Sequence, residues 1–180
     1  MVEVLVSVLI FSIITGAAMQ VFITAVNSQK KILAQQEVID QTSYAIEYMS
    51  RSIRMAKKDV DGVCINSKLN YENPDSNESS IMFLKLNQSE EAYFCYRFFL
   101  QNDRLMVYKR NLMTSEETVL PLTSTSTILS INSLKFHISD EDQYDNLQPA
   151  VTIVWDMDGS DGVVNQIQTT VSQRNLDLMY

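Results

Sequence analysis

Between Glu3 and Lys30 no side chain is charged: Val4 to Gln29 are 26 uncharged residues, and Val4 to Val26 read VLVSVLIFSIITGAAMQVFITAV. At about 1.5 Å of rise per residue, roughly 20 apolar residues cross a hydrocarbon core of about 30 Å. The run is long enough to span a bilayer. A core helix in so small a chain needs a polar face, and here apolar positions occur all round. A secretory signal has about 7 to 15 apolar residues ending at small-x-small. This run is longer, and no Ala-x-Ala follows it.

Past the run, Ile32, Ile39, Ile46 and Ile53 recur every seven residues, with Thr42, Met49 and Ala56 at companion d positions. That stripe predicts that the helix continues beyond the membrane with one face buried. Neither Gly nor Pro occurs between Gly16 and Gly62, so the turn signal at Asp59 to Gly62 is the first stop. Lys57 and Lys58, after Arg51 and Arg54, suit the negative end of the helix dipole. The expectation is one helix from about Val2 to about Lys58, about 85 Å long. Its halves are a transmembrane part, residues 1–29, and an amphipathic part, residues 30–58.

The charge changes where the helix is expected to end. The 180-residue chain is net -8, but residues 1–58 are net +2 and residues 59–180 hold eight Lys/Arg against eighteen Asp/Glu. An acidic distal region disfavours binding to nucleic acid phosphates. With four Gly and no GxGxxG or GxxxxGK[ST], phosphate-cradling loops are missing from the sequence too.

From Asp59 onward the periodicity becomes that of strands. Ser80 to Asn87, Ala92 to Leu100, Arg104 to Asn111, Ile128 to Ile138, Ala150 to Trp155 and Val163 to Val171 are short, rich in β-formers and separated by polar turns. Leu134, Phe136 and Ile138 alternate with Lys135 and His137, giving one buried and one wet face. Gln101-Asn102-Asp103 and Asp158-Gly159-Ser160-Asp161-Gly162 read as hairpin loops. Asn70 to Ser80 is the longest candidate loop. An antiparallel sheet packed on the amphipathic helix half gives an α+β fold, with residues 59–180 as the globular head.

The segment MVEVLVSVLIFSIITGAAMQVF resembles the N-terminal helix of type IV pilins and of type II secretion pseudopilins. In that family a basic leader ending in Gly precedes Phe-Thr-Leu-Val-Glu or Phe-Thr-Met-Val-Glu, and the apolar helix follows. Val2-Glu3-Val4-Leu5-Val6 fits that motif, with Met1 at its Leu or Met. The leader, the Gly and the Phe lie outside this sequence, so its first residue is expected to sit inside the motif. Lys30 and Lys31 by themselves place the head in the cytoplasm by positive-inside counting. The family topology, with the basic leader inside and the head outside, is the expectation retained. IQTTVSQRNLDL and NLQPAVTI also resemble the closing strands of minor pseudopilin-like proteins.

The resemblance implies a pilin-like fold and a bacterial inner-membrane, single-pass location before assembly, and an extracytoplasmic filament after it. Implied partners are other pilin or pseudopilin subunits, an inner-membrane assembly platform and a prepilin peptidase. Glu3 would neutralise the N-terminal amine of the adjacent subunit. A boundary carboxylate at the membrane surface is the alternative for that residue, because an isolated charge in hydrocarbon costs about 2.5 kcal/mol or more. Val4 and Leu5 would exchange lipid for helix contacts, with Ser7, Ser12, Gly16 and Ala17 permitting close approach. The leading expectation is thus a structural subunit, a minor pilin or pseudopilin. The alternative is a membrane-anchored binding or sensor protein with an acidic head.

Cys64 and Cys95 lie in segments that both read as strand. A bridge in the oxidising exterior and two buried free thiols both remain open on spacing alone. Asp140, Glu141, Asp142 and Asp145 form one acidic loop, and Asp156, Asp158 and Asp161 a second, the calcium candidates. The second group lacks the EF-hand's closing glutamate, because Ile167 stands at the twelfth place; solvated turns are the favoured reading. His137, the sole histidine, is expected on the polar face. Without a second histidine or an evident nucleophile pairing, neither a triad nor a zinc site is expected, and no enzyme activity or cofactor.

Overall fold

The computed structural model describes residues 1–87, 92–124, 129–139, 148–159 and 164–174. Among these residues it is an α+β arrangement of one long N-terminal helix, α1 (Val2–Arg54), and eight antiparallel strands. Within the apolar half, Ser7, Ser12, Thr15 and Thr24 donate their hydroxyls to the carbonyls of Glu3, Val8, Phe11 and Gln20, four residues back. This satisfies each hydroxyl inside the helix, so the polar atoms do not oppose an apolar setting.

The helix ends at Arg54 rather than near Lys58. Ala56 and Lys57 form β1 instead, pairing with Lys85 and Leu84 of β2. The freed carbonyls at the helix end find partners from far along the chain. The Tyr71 hydroxyl donates to the Ile53 carbonyl at 2.9 Å, and the Arg174 backbone N–H to the Arg54 carbonyl at 2.8 Å. Such end carbonyls have no partner within their own helix, and tertiary pairing supplies the stop that local sequence lacks.

The buried face of the helix also differs from the expected stripe. Ile32 and Ile39 are 50% and 60% exposed, whereas Val38, Thr42, Ala45, Met49, Ser52 and Ile53 are buried. The seam advances by alternating fours and threes, as an α-helix face does. It retains Thr42, Met49 and Ile53 from the expected stripe and buries Val38 and Ala45 more deeply than Ile39 and Ile46, which follow them. The helix lies close to the strands along this seam: Thr42 Oγ1 reaches Met157 Sδ at 3.1 Å.

The strands divide into two sheets where one was expected. The first runs β1 (Ala56–Lys57), β2 (Ser80–Asn87), β3 (Ala92–Gln101), β4 (Arg104–Asn111), β5 (Glu117–Pro121) in that order. The second is β6 (Leu129–Ser139), β7 (Ala150–Gly159), β8 (Val164–Ser172). β1 and β5 were absent from the expected strands, and β7 continues four residues past Trp155. Ile128 and Val163, expected as strand starts, lie outside the described residues.

The Gln101 to Arg104 turn is a tight hairpin, with Asn102 and Asp103 at φ 51° and 57°. These are the left-handed values that a two-residue type I′ hairpin requires and that Asn and Asp tolerate. In β6, Asn132 is an extra residue between the Ile131–Met157 and Ser133–Asp156 pairs. The bulge restores phase, so Leu129 and Ile131 before it and Leu134 and Phe136 after it all face inward. Between helix and sheets lies an apolar cluster including Met49, Ile53, Phe83, Phe98, Phe136 and Trp155.

Candidate functional site

The assembly residues named from the sequence all lie on the part of α1 that leaves the head. Glu3, Val4, Leu5, Ser7, Ser12, Gly16 and Ala17 are exposed, and none of the most apolar 18-residue window, of mean hydropathy 2.2, is buried. A Cβ added at Gly16 would meet no other atom within 4 Å. The glycine therefore answers no packing need inside this chain. Glu3 and Ser7 stand one turn apart, as do Ser12 and Gly16, and five residues of helix put Ser7 and Ser12 about 140° apart. Places for close approach thus occur on more than one side, the distribution a helix needs when it has several neighbours.

The head is fastened to this helix at the far end by polar contacts that the sequence reading missed. Asp59 is buried, and its carboxylate accepts the backbone N–H groups of Gly62, Val63, Cys64 and Ile65 at 2.6–3.1 Å. Burial by itself pushes its pKa up, but the four N–H donors outweigh this and hold it below 3.8. Gly62 has φ 70°, a left-handed value that favours glycine, and a Cβ there would lie in tight contact, 3.3 Å from Ser67. The Asp59-x-x-Gly62 spacing was visible as a turn signal; the carboxylate's four partners were not.

Cys64 is held in this loop and is bonded to Cys95 of β3. The strand expectation is therefore right for Cys95 and wrong for Cys64, whose N–H is taken by Asp59 rather than by a ladder. At the end of β8, Gln173 is buried and donates from Nε2 to the Ala56 carbonyl at 2.9 Å. A second cluster sits on the loop before β2. Arg97 reaches both carboxylate oxygens of Asp75 at 3.0 and 3.2 Å, and the Ser80 hydroxyl donates to the same group. The Ser80 bond, with Arg97, keeps the Asp75 carboxyl below its ordinary range against the opposing effect of burial.

Of the calcium candidates Asp156, Asp158 and Asp161, the first two are among the described residues. Asp156 and Asp158 lie within β7, not in a loop, with Asp156 paired to Ser133 and Gln166 and Asp158 to Ser130 and Val164. Two carboxylates on a strand do not wrap a cation that takes six to eight oxygens. Asp161 and the acidic run Asp140, Glu141, Asp142 and Asp145 lie outside the described residues. Among the described residues no group of three or more His, Cys, Asp or Glu is placed to hold a metal ion. His137 is exposed on the outer face of β6, its Nδ1 3.6 Å from Glu78.

The chain matches no protein-family model, no curated protein and no solved structure.

Proposed function

We propose that the protein is a structural subunit, a minor pilin or pseudopilin, that assembles into an extracytoplasmic filament through its N-terminal helix. The observation that carries this reading is a single continuous helix with two different environments. Its C-terminal half is built into the head core, while its N-terminal half is uncharged from Val4 to Gln29, predominantly apolar, and uncovered over its most apolar 18 residues. An apolar surface of that length needs lipid or protein around it. Before assembly, lipid covers it; after assembly, neighbouring helices do, and the small residues on several sides favour such a bundle.

Glu3 is the register device in this scheme. Among the described residues no cation stands within ion-pair distance of it in the isolated chain. In a helix bundle its carboxylate is costly alone and acceptable when paired with a cation of a neighbouring subunit, which fixes the axial offset. The head then covers the filament surface, held to its helix by the seam from Val38 to Ile53.

The reading is tested by replacing Glu3 with Gln and with Leu in the producing bacterium. The measurements are the share of chain passing from membrane to sheared filament and the oxidation of Cys64–Cys95. Loss of filament with an oxidised head is the expected result. Wild-type chain that never leaves the membrane fraction, with both variants indistinguishable from it, returns the protein to the anchored-receptor class.

A further inference from the structure

On the flank of the head, a recess of about 330 Å³ opens between α1 and the first sheet. Tyr44, Tyr48 and Arg51 line it from the helix, and Lys85 lines it from β2. The three helix residues are spaced by four and three, so they share one face, adjacent to the buried seam at Ala45, Met49 and Ser52. Lys85 Nζ lies 3.5 Å from Ser52 Oγ and 5.0 Å from the centre of the Tyr96 ring. Lys109 Nζ, from β4, stands 5.5 Å from the Tyr48 ring and 5.6 Å from the Tyr96 ring. Two ammonium groups therefore stand against one tyrosine ring.

Carboxylates do not balance these charges. Among the described residues neither lysine has a carboxylate within 4 Å, and Glu116, in the recess on the other side of Lys109, makes no ion pair with it. Arg51 engages Glu47 at 2.6 Å, with both side chains more than 70% exposed. Arg51 and Lys85 against Glu47 leave the lining of the recess at net +1, and Lys109, which lines the neighbouring recess, adds a third cation beside the Tyr48 ring. The congestion is felt at Lys85, whose pKa is lowered by burial and then by the charges of Lys109 and Arg51. A fold gains no stability by half-burying like charges together; a neutral side chain at position 85 would fill the same space without that repulsion.

We propose that this recess binds a doubly charged anion of the phosphate-monoester or dicarboxylate class, seated between Lys85, Lys109 and Arg51. Two point-like ammonium groups and one guanidinium fork match the charge and geometry of such a group. Tyr44 and Tyr48 offer ring surface to the body of the ligand. The site is independent of the filament reading, because it lies on the head and uses none of the exposed apolar helix.

The test uses the full chain in non-ionic detergent. Inorganic phosphate and succinate are titrated by calorimetry at constant ionic strength, with acetate as the singly charged control. Saturable binding of one or both dianions is expected, with acetate at least tenfold weaker. Phosphate alone assigns the phosphate class, succinate alone the dicarboxylate class. The double variant K85Q/K109Q is expected to lose binding at least tenfold, while K135Q, on the outer face of β6, retains it. Without anion, K85Q is expected to melt no lower than the parent. No saturable binding, an equal loss in K135Q, or a marked fall in K85Q melting temperature would overturn the proposal, the last by showing Lys85 to be a structural residue.

Discussion

The carboxylate of Asp59 accepts the backbone N–H of Cys64 at 2.6 Å, and Cys64 is the half of the disulfide that lies outside the sheets. One buried side chain thereby shapes the turn after β1 and presents a cysteine to the neighbouring strand. Replacing it by Ala leaves four backbone donors without their acceptor. An unsatisfied buried group costs about 1–3 kcal/mol, so D59A is expected to lose on the order of 2 kcal/mol or more by chemical denaturation in detergent. A loss below about 0.5 kcal/mol, the range of an ordinary surface change, would mean that water replaces the carboxylate.

Asp59 also sets a pH dependence. Its folded pKa lies below the ordinary 3.8, as does that of Asp75. A depressed carboxyl contributes fully above its unfolded pKa, and the contribution disappears as pH falls through the folded value. Stability from these groups is thus expected to hold from neutrality to about pH 5 and to fall below about pH 4. D59N should be weaker at neutral pH and show a flatter acid limb. Parallel acid limbs in the two proteins would place the linkage elsewhere.

The Cys64–Cys95 bridge closes a loop across a sequence separation of 31. Loops of this size contribute about 2–4 kcal/mol. Reduction, or the paired C64S/C95S change, is expected to lower stability by about 3 kcal/mol and to leave the helix intact by circular dichroism. An unchanged denaturation midpoint after verified reduction would show that the Asp59 turn alone holds the loop.

The seam can be probed by truncation. Met49 is fully buried, and Met→Ala in a core costs about 2–5 kcal/mol. Ile39, 60% exposed, is expected to cost about 0.5 kcal/mol or less on truncation. Equal losses at the two positions would restore the isoleucine stripe as the packed face.

Trp155 is the sole tryptophan and is fully buried, with its indole N–H unpartnered among the described residues. Its emission is expected to be blue-shifted in the folded chain and to move to longer wavelength on unfolding. W155F, which removes an unpaired donor along with some volume, should cost clearly less than W155A, for which about 3–5 kcal/mol is typical. Emission at the solvent-exposed wavelength in the native protein would contradict the core described above.

Much of the layout was legible in order along the chain. The uncharged run from Val4 and the alternation of Leu134, Phe136 and Ile138 are local patterns, and local periodicity is what fixes a helix or a strand face. Less legible was where an element stops and what it touches. Ile39 repeats as regularly as Met49, yet only Met49 meets the core, because the contacting face depends on how closely the helix can approach two sheets. β5 was missed because Glu117 to Pro121 is exposed throughout and so carries no burial pattern to read.

The sequence by itself determined a membrane-length apolar helix, an acidic β-rich head and the positions of most strands, since each depends on residues within a few places of one another. Only the tertiary structure decided that the helix ends at Arg54, that the strands separate into two sheets, that Cys64 meets Cys95, and that Lys85, Lys109 and Arg51 converge. Each of those outcomes turns on a partner supplied from elsewhere in the chain: Tyr71 and Arg174 for the helix end, β3 for the cysteine, three separate elements for the cationic recess. Side-chain spacing cannot encode such meetings, because their free energy exists only once the chain has closed around them.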